Sequence, residues 1–364
     1  MKSFFAAAVS FASVAIAEHG NWTTKSNHLY YKDEAVVLHG FSTSCPPYLI
    51  QKLSANDGKT RCWANYNHND PENIITELNT EQADAAIGYL SEVKGPGVMP
   101  TFRVPLCASS WLGVETDAAK SAMSKYPDLG GQYQTLISSL VTRFTEAGIV
   151  VILDLHWNSD DIEQSPMALQ AGEKVGGSIE FWESVAAKFK DNELVFYELY
   201  NEPHLTTDQS DDIYLNGDDT YVGMLQMIEA VRKHSPDQVL VIAGAREWAF
   251  DNTSLIELDS KTDEELIVYN YHAYMNPANP KALKNADSLE AYIQEIQSKT
   301  DKPAILTEFG QFCCATNGSC GLFEGTWDGK EMGYAEAVVT IAETYGVSWT
   351  PWAWRPGAAG SANP

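Results

Sequence analysis

Val150-Val151-Ile152-Leu153-Asp154-Leu155-His156-Trp157 decides how the rest of the chain is read. Its first four residues are all apolar, so both faces of an extended strand there are hydrophobic; polar side chains enter only towards its far end. A strand greasy on both faces belongs to a parallel sheet covered by helices, not to a half-solvated antiparallel one. The flanking segments agree. Gln132–Ala147 carries Leu136, Leu140 and Phe144 at helical spacing, and Ser178–Lys190 carries Phe181, Val185 and Phe189.

Working outward, the same alternation repeats. Strands are expected at Val36–Phe41, Thr101–Cys107, Val150–Trp157, Val195–Glu202, Val239–Gly244, Leu266–Tyr274, Ala304–Phe309 and Val347–Trp354. Further helices are expected at Glu81–Lys94, Tyr221–His234, Thr253–Leu258, Leu289–Lys299 and Lys330–Tyr345. This pattern predicts an α/β fold, a (β/α)8 TIM barrel in a single domain over residues 18–364. An open doubly wound sheet would call for a glycine-rich GxGxxG turn after an early strand, and the sequence has none. Ser42 to Pro100 is long and polar ahead of its helix, which suggests an extra loop over the barrel mouth. Only ten residues follow Trp354, so a full eighth helix is not expected within this sequence.

Charge narrows the partners. Of 364 residues, 24 are Lys or Arg and 49 Asp or Glu, a formal net charge of −25. That field repels phosphate backbones and anionic lipid, so neither nucleic acid nor a membrane surface is expected as a partner. A monomer is expected. Residues 1–17 read as a signal peptide: Lys2, an uncharged run from Phe4 to Ile16, and Ala15-Ile16-Ala17 as a small-residue cleavage site. Secretion to the extracellular space follows as an expectation. In that compartment the six cysteines, Cys45, Cys62, Cys107, Cys313, Cys314 and Cys320, favour disulfides. Proximity suggests Cys45 with Cys62, and Cys320 with Cys313 or Cys314, among fifteen possible pairings for three bridges.

Barrel chemistry sits at the C-terminal ends of the strands. Arg103 lies on the second strand, Asp154 and His156 on the third, Asn201 and Glu202 at the end of the fourth. His272 and Tyr274 lie on the sixth, Glu308 ends the seventh, and Trp349, Trp352 and Trp354 end the eighth. Glu202 and Glu308 are the sharpest pair. Two carboxyls facing each other across a mouth are what glycosidic cleavage needs: one protonates the leaving oxygen, the other attacks the anomeric carbon or activates water. Asp154 reads as structural, paired with Arg103, and Glu198 as a deeper group satisfying a neighbour. Trp111, Trp157, Trp248 and Trp327 are candidate sugar platforms or loop packing, with Trp248, just after the fifth strand, the best of them. His39 and His204 read as local hydrogen-bonding groups.

Five motifs together carry a resemblance. Tyr197-Glu198-Leu199-Tyr200-Asn201-Glu202-Pro203, Leu153-Asp154-Leu155-His156, Tyr269-Asn270-Tyr271-His272-Ala273-Tyr274, Thr307-Glu308-Phe309-Gly310 and Ser348-Trp349-Thr350-Pro351-Trp352-Ala353-Trp354 resemble strand signatures of glycoside hydrolase family 5, the large cellulase family. They occur in barrel order across nearly the whole chain after residue 17. The resemblance implies Glu202 as acid/base and Glu308 as nucleophile of a retaining mechanism, with the carboxyls about 5–5.5 Å apart. It implies Asn201 on the sugar 2-hydroxyl, and Arg103 and Tyr274 holding Glu308. It further implies His156 and His272 binding sugar or tuning the acid/base, and Trp352 as the sugar platform, with Trp349 or Trp354 from the same stretch as the alternative. Glu202 is expected to have its pKa raised by a nearby anion and partial desolvation. No cofactor and no metal are expected, since no HExxH-like pattern accompanies the histidines.

The expected activity is that of a secreted endo-β-1,4-glucanase acting on cellulose-type β-glucans, with a polysaccharide or oligosaccharide as partner. A β-mannanase or β-1,3-glucanase shares the catalytic set. A non-catalytic carbohydrate-binding protein on the same scaffold is the rival of another class. Arg355-Pro356-Gly357-Ala358-Ala359-Gly360 departs from the Asn-Pro and acidic, glycine-rich loop that often follows this kind of eighth strand, which affects the outer subsites.

Overall fold

A computed structural model describes residues 20–43, 80–117, 120–125, 127–159, 164–206, 208–250, 253–275, 286–311, 324–327 and 330–352. The proposed signal peptide, five of the six cysteines and the segment after Trp352 lie outside these residues. Cys107 is described: it is buried, with its Sγ 3.2 Å from Ser109 Oγ.

Eight parallel strands form the barrel wall. They are β1 (Glu34–Ser42), β2 (Val98–Cys107), β3 (Val150–Trp157), β4 (Val195–Glu198), β5 (Leu240–Ala243), β6 (Ile267–Met275), β7 (Ala304–Gln311) and β8 (Ser348–Trp349). Each pairs with the next, and β8 closes on β1 through Trp349 and His39. Helices cover the outside, among them Thr80–Ser91, Leu129–Glu146, Ser178–Phe189, Met224–Arg232, Ala286–Lys299 and Tyr334–Thr344. The (β/α)8 barrel read from the sequence is therefore present. No described helix is long and apolar enough to cross a membrane.

Strand alternation divides the apolar side chains into two cores. Leu153 and Leu155 of β3, Tyr197 of β4 and Ile242 of β5 face outward and join the helices in the larger cluster. Leu38, Val150, Ile152, Phe196, Val241, Val268 and Ile305 face inward and fill the N-terminal end of the barrel. Burying each such side chain contributes about 1.5–3 kcal/mol relative to leaving it in water. A hairpin of two short strands, Trp22–Lys25 and His28–Tyr31, precedes β1 and completes this inner cluster. Trp22 is 1% exposed, meets Phe196 edge-on at 4.8 Å and donates its ring N–H to Glu193 O at 2.7 Å.

Three sequence expectations are corrected. The fourth strand ends at Glu198, not Glu202, because Leu199 and Tyr200 are both buried in the outer core and strand alternation stops there. The predicted helix Lys330–Tyr345 starts at Tyr334; Lys330–Gly333 instead pairs antiparallel with Glu324–Trp327. The described part of the eighth strand is only Ser348–Trp349.

Candidate active site

The inward face of each strand changes character along its length. On β3 it runs from Val150 and Ile152 to Asp154 and His156; on β6, from Val268 to Asn270, His272 and Tyr274. The polar ends converge on Arg103 of β2, which is wholly buried. Its Nε and Nη2 donate to the two oxygens of Glu198 at 2.6 and 2.9 Å. Its Nη1 donates to Glu308 Oε1 at 2.7 Å, and Nη2 lies 2.9 Å from Asp154 Oδ2 and 2.7 Å from Asn201 Oδ1. Burial alone would lower the Arg103 pKa, but Asp154, Glu198 and Glu308 outweigh it and keep the guanidinium charged.

Glu308 reaches this cluster through an irregularity. Ile305 faces the inner core and Leu306 the outer one, so simple alternation would turn Thr307 in and Glu308 out. The register between β6 and β7 shifts instead: Asn270 pairs with Ile305, but His272 pairs with Glu308. The extra residue on β7 is a β-bulge, a device that re-aims side chains beside active sites. Both Thr307 and Glu308 point inward as a result. Tyr274 donates its hydroxyl to Glu308 Oε2 at 2.9 Å, so each Glu308 oxygen has a donor.

Glu202 stands in the irregular segment beyond β4. Its Oε1 is 2.8 Å from His272 Nδ1. Burial raises its pKa, while His156, the Gln164 side chain, Arg103 and His204 act to lower it. The nearby anion expected from the sequence is therefore not the leading cause; desolvation is. The other buried carboxyls respond alike: burial pushes Asp154 up to about 8, with Arg103 opposing, and raises Glu198. Burial lowers His156 and His272 to about 4, so both rings are neutral at ordinary pH. His156 Nδ1 is 2.7 Å from Asp154 Oδ2.

One oxygen of Glu202, one of Glu308 and a nitrogen of His272 all lie within 4.8 Å of one another. Two carboxylates and an imidazole at that spacing could hold a divalent cation in principle. Here the donor atoms are already committed: Glu308 to Arg103 and Tyr274, and His272 Nδ1 to Glu202. The trio therefore does not fit a resident metal.

All eight residues singled out from the sequence meet in this region. Arg103, Asn201, His272, Tyr274, Glu202 and Glu308 form the bonds described above. Trp352 lies parallel to His156, ring centroids 5.3 Å apart, with the Arg103 guanidinium 5.9 Å from its ring. Other readings change. Trp111 is fully buried among Tyr133 and Phe181, so it is core and no platform. Trp349 stacks on His39 at 4.5 Å and meets Phe309 edge-on, away from the mouth. Among the described residues, His39 Nε2 is buried without a hydrogen-bond partner. Trp248 is 51% exposed and stacks on His204 at 5.0 Å, and His204 Nδ1 sits 2.8 Å from the Glu202 carbonyl. Asn270 and Thr307 were missed. Asn270 shares the inward period of His272 and Tyr274 and could have been found by it; Thr307 could not be separated from Glu308 without the bulge.

A family model described as cellulase (glycosyl hydrolase family 5) matches residues 61–358. The chain is 28% identical over 223 residues to endoglucanase A of Butyrivibrio fibrisolvens, covering 60% of this chain and 42% of that protein. It thus spans about two fifths of the length of that and other curated relatives. Among solved structures, a β-glucanase from Saccharophagus degradans in complex with cellotetraose superposes with a TM-score of 0.56 at 18% identity, covering 98% of this chain and 91% of that one. A β-mannanase from Thermomonospora fusca superposes with a TM-score of 0.54 at 14% identity, covering 94% and 85%. At such identities the superpositions speak to the fold alone.

Proposed function

The chain belongs to glycosyl hydrolase family 5, and on that premise we propose that it is a retaining glycoside hydrolase cleaving internal β-1,4-glucosidic bonds of cellulose-type β-glucans. The observation that carries the reading is the approach of Glu202 and Glu308 to within 4.8 Å in two unlike settings. A separation of about 5–5.5 Å suits a covalent intermediate; an inverting enzyme leaves roughly 6.5–9.5 Å for a water.

Glu308, held by Arg103 and Tyr274, attacks the anomeric carbon. Glu202, whose pKa burial raises, gives its proton to the departing oxygen. Once Glu308 is esterified by the sugar its charge is gone, and Glu202 then takes a proton from the incoming water. Asn201 spends its carbonyl oxygen on Arg103, which leaves the amide N–H groups for the sugar 2-hydroxyl. Trp352 and His156 provide a flat surface on which a sugar ring stacks. Secretion and a monomeric state complete the proposal, resting on the residue 1–17 pattern and the acidic charge.

The test is product analysis on carboxymethylcellulose, mannan and laminarin, with anomeric configuration followed by NMR. Soluble β-linked glucooligosaccharides released first as the β-anomer support the proposal. Release from mannan alone moves the substrate to mannan, and a first-formed α-anomer overturns retention.

A further inference from the structure

Behind Glu202 lies a closed set of hydrogen bonds that the proposed chemistry does not itself use. Asn270, wholly buried on β6, accepts the Thr307 backbone N–H at 3.1 Å and the Thr307 hydroxyl at 2.7 Å on its Oδ1. An amide whose oxygen takes a backbone N–H cannot be flipped without orphaning that donor. Its Nδ2 therefore faces Glu198 Oε1, at 2.7 Å, and His272 Nε2, at 3.3 Å. Glu198 is itself fixed by two bonds from Arg103, so the amide is anchored at both ends.

The protons can then be counted. Asn270 Nδ2 carries two and Thr307 Oγ1 one. The Thr307 proton goes to Asn270 Oδ1, to Glu198 Oε1 or to His272 Nε2, the last two each 3.1 Å away. One Asn270 proton goes to Glu198, and among the described residues the other has only the His272 ring nitrogen to receive it. A proton on Nε2 would confront that N–H and strand a buried donor, which costs about 1–3 kcal/mol. A bare Nε2 satisfies everything. The ring is neutral, so its single proton must then sit on Nδ1, directed at Glu202 Oε1 at 2.8 Å.

We propose that Asn270 is a positioning residue that fixes His272 in the Nδ1–H tautomer, so that Glu202 Oε1 is always an acceptor and the proton that moves in the reaction is confined to Glu202 Oε2. The inference rests on the reading of Glu202 as acid/base, and deepens it by assigning which oxygen carries the acid proton. Without Asn270, the Nε2–H tautomer becomes acceptable, because Thr307 Oγ1, 3.1 Å away, can receive it. Nδ1 would then turn a lone pair on Glu202, draw the acid proton to Oε1 and raise the Glu202 pKa further. The other groups facing Glu202 are Arg103 from β2, Asp154 and His156 from β3, Tyr274 from β6, Glu308 from β7, and Tyr200 and His204 on its own segment. None of them changes in the variants below.

The experiment has two readouts on the full chain. In 15N-histidine protein, with the His272 signals assigned by their loss in His272→Asn, the ring-nitrogen shifts report the tautomer regardless of activity. The wild type is expected to show Nδ1 protonated and Nε2 bare at neutral pH. Asn270→Ala is expected to move the proton to Nε2. It is also expected to shift the alkaline limb of kcat/KM on an aryl β-cellobioside upward by about one pH unit and to lower kcat. A dinitrophenyl leaving group, which needs no acid, should lose less. Thr307→Val, which removes the alternative acceptor, is expected to keep both the wild-type tautomer and the wild-type limb. A wild-type ring protonated on Nε2, or an Asn270→Ala variant with an unmoved tautomer, overturns the proposal. If Asn270→Ala does not fold, a wild-type ring protonated on Nε2 still overturns the proposal. A chain with the expected tautomer but no glycosidase turnover would instead sink the catalytic reading and leave the tautomer assignment standing.

Discussion

The two ends of the barrel are lined by the same strands and built on opposite principles. At the N-terminal end the inward residues are Leu38, Ile152, Phe196, Val241, Val268 and Ile305, closed off by Trp22. Two to four residues further along, the same faces carry Arg103, Asp154, Glu198, Asn270 and His272. One end adds stability with each side chain; the other gathers at least three buried carboxyls around one guanidinium, an arrangement that isolated burial would strongly oppose. The difference teaches that the apolar end supports a mouth whose charges are held in geometries useful for chemistry, not for stability.

The largest effect should come from the mouth. Glu308→Gln keeps the shape of the side chain and removes the nucleophile, so kcat on a β-glucan should fall by about 10^4-fold or more while oligosaccharide binding persists. Steady-state kinetics with calorimetric binding checks both. Activity within tenfold of wild type would remove Glu308 from the mechanism. The matching perturbation at the opposite end is Trp22→Ala. Truncating a fully buried Trp costs about 3–5 kcal/mol in denaturant unfolding, whereas kcat of the folded fraction should be unchanged. A large loss of kcat there would mean that the two ends are not separable.

Titration sharpens the contrast further. Asp154 has a folded pKa of about 8, above its unfolded value, so its contribution to stability is full at low pH and is lost as pH rises towards 8. His156 and His272, lowered to about 4, act oppositely: stability is lost as pH falls from about 6.5 towards 4. Between about pH 4 and 6.5 the two histidines outweigh Asp154, so stability rises with pH there. Above pH 6.5 the histidines no longer contribute, and Asp154 should lower stability by about 2 kcal/mol up to pH 8, at roughly 1.4 kcal/mol per unit, with Glu198 and Glu202, also raised by burial, acting in the same direction. Asp154→Asn should flatten that decline in chemical denaturation at several pH values; an equally steep decline in the variant would place its origin elsewhere.

Much of this contrast was legible in the sequence. Val150–Trp157 displays it in eight letters, apolar at one end and Asp154 with His156 at the other, and the period of two puts the inward faces of β3 and β6 in register. What could not be read were departures from that period. Glu308 faces the mouth only because of the shift opposite Asn270 and His272, which depends on pairing between strands far apart in sequence and is not encoded in a local pattern. Glu202 lies on the side that simple alternation from Glu198 gives it, but on an irregular segment where the sequence predicts a strand. Trp111 shows the converse failure: an aromatic beside a strand end looks like a platform until the helices that bury it are placed.

Trp248 offers the smallest and most local test. Glu247, Trp248 and Ala249 all have positive φ, at 54°, 56° and 64°, a left-handed run that L residues with side chains adopt at a cost. The run holds a half-exposed indole against His204, whose ring touches the Glu202 carbonyl on the mouth side. If that strain serves substrate, Trp248→Ala should weaken binding of longer oligosaccharides by about 1 kcal/mol, the low end for stacking on an aromatic ring. Short substrates that do not reach past Glu202 should be unaffected. Comparing KM for a cellooligosaccharide series separates the outcomes. A uniform change at every length would trace to displacement of Glu202 through His204, and no change at any length would leave the left-handed run without a role in binding.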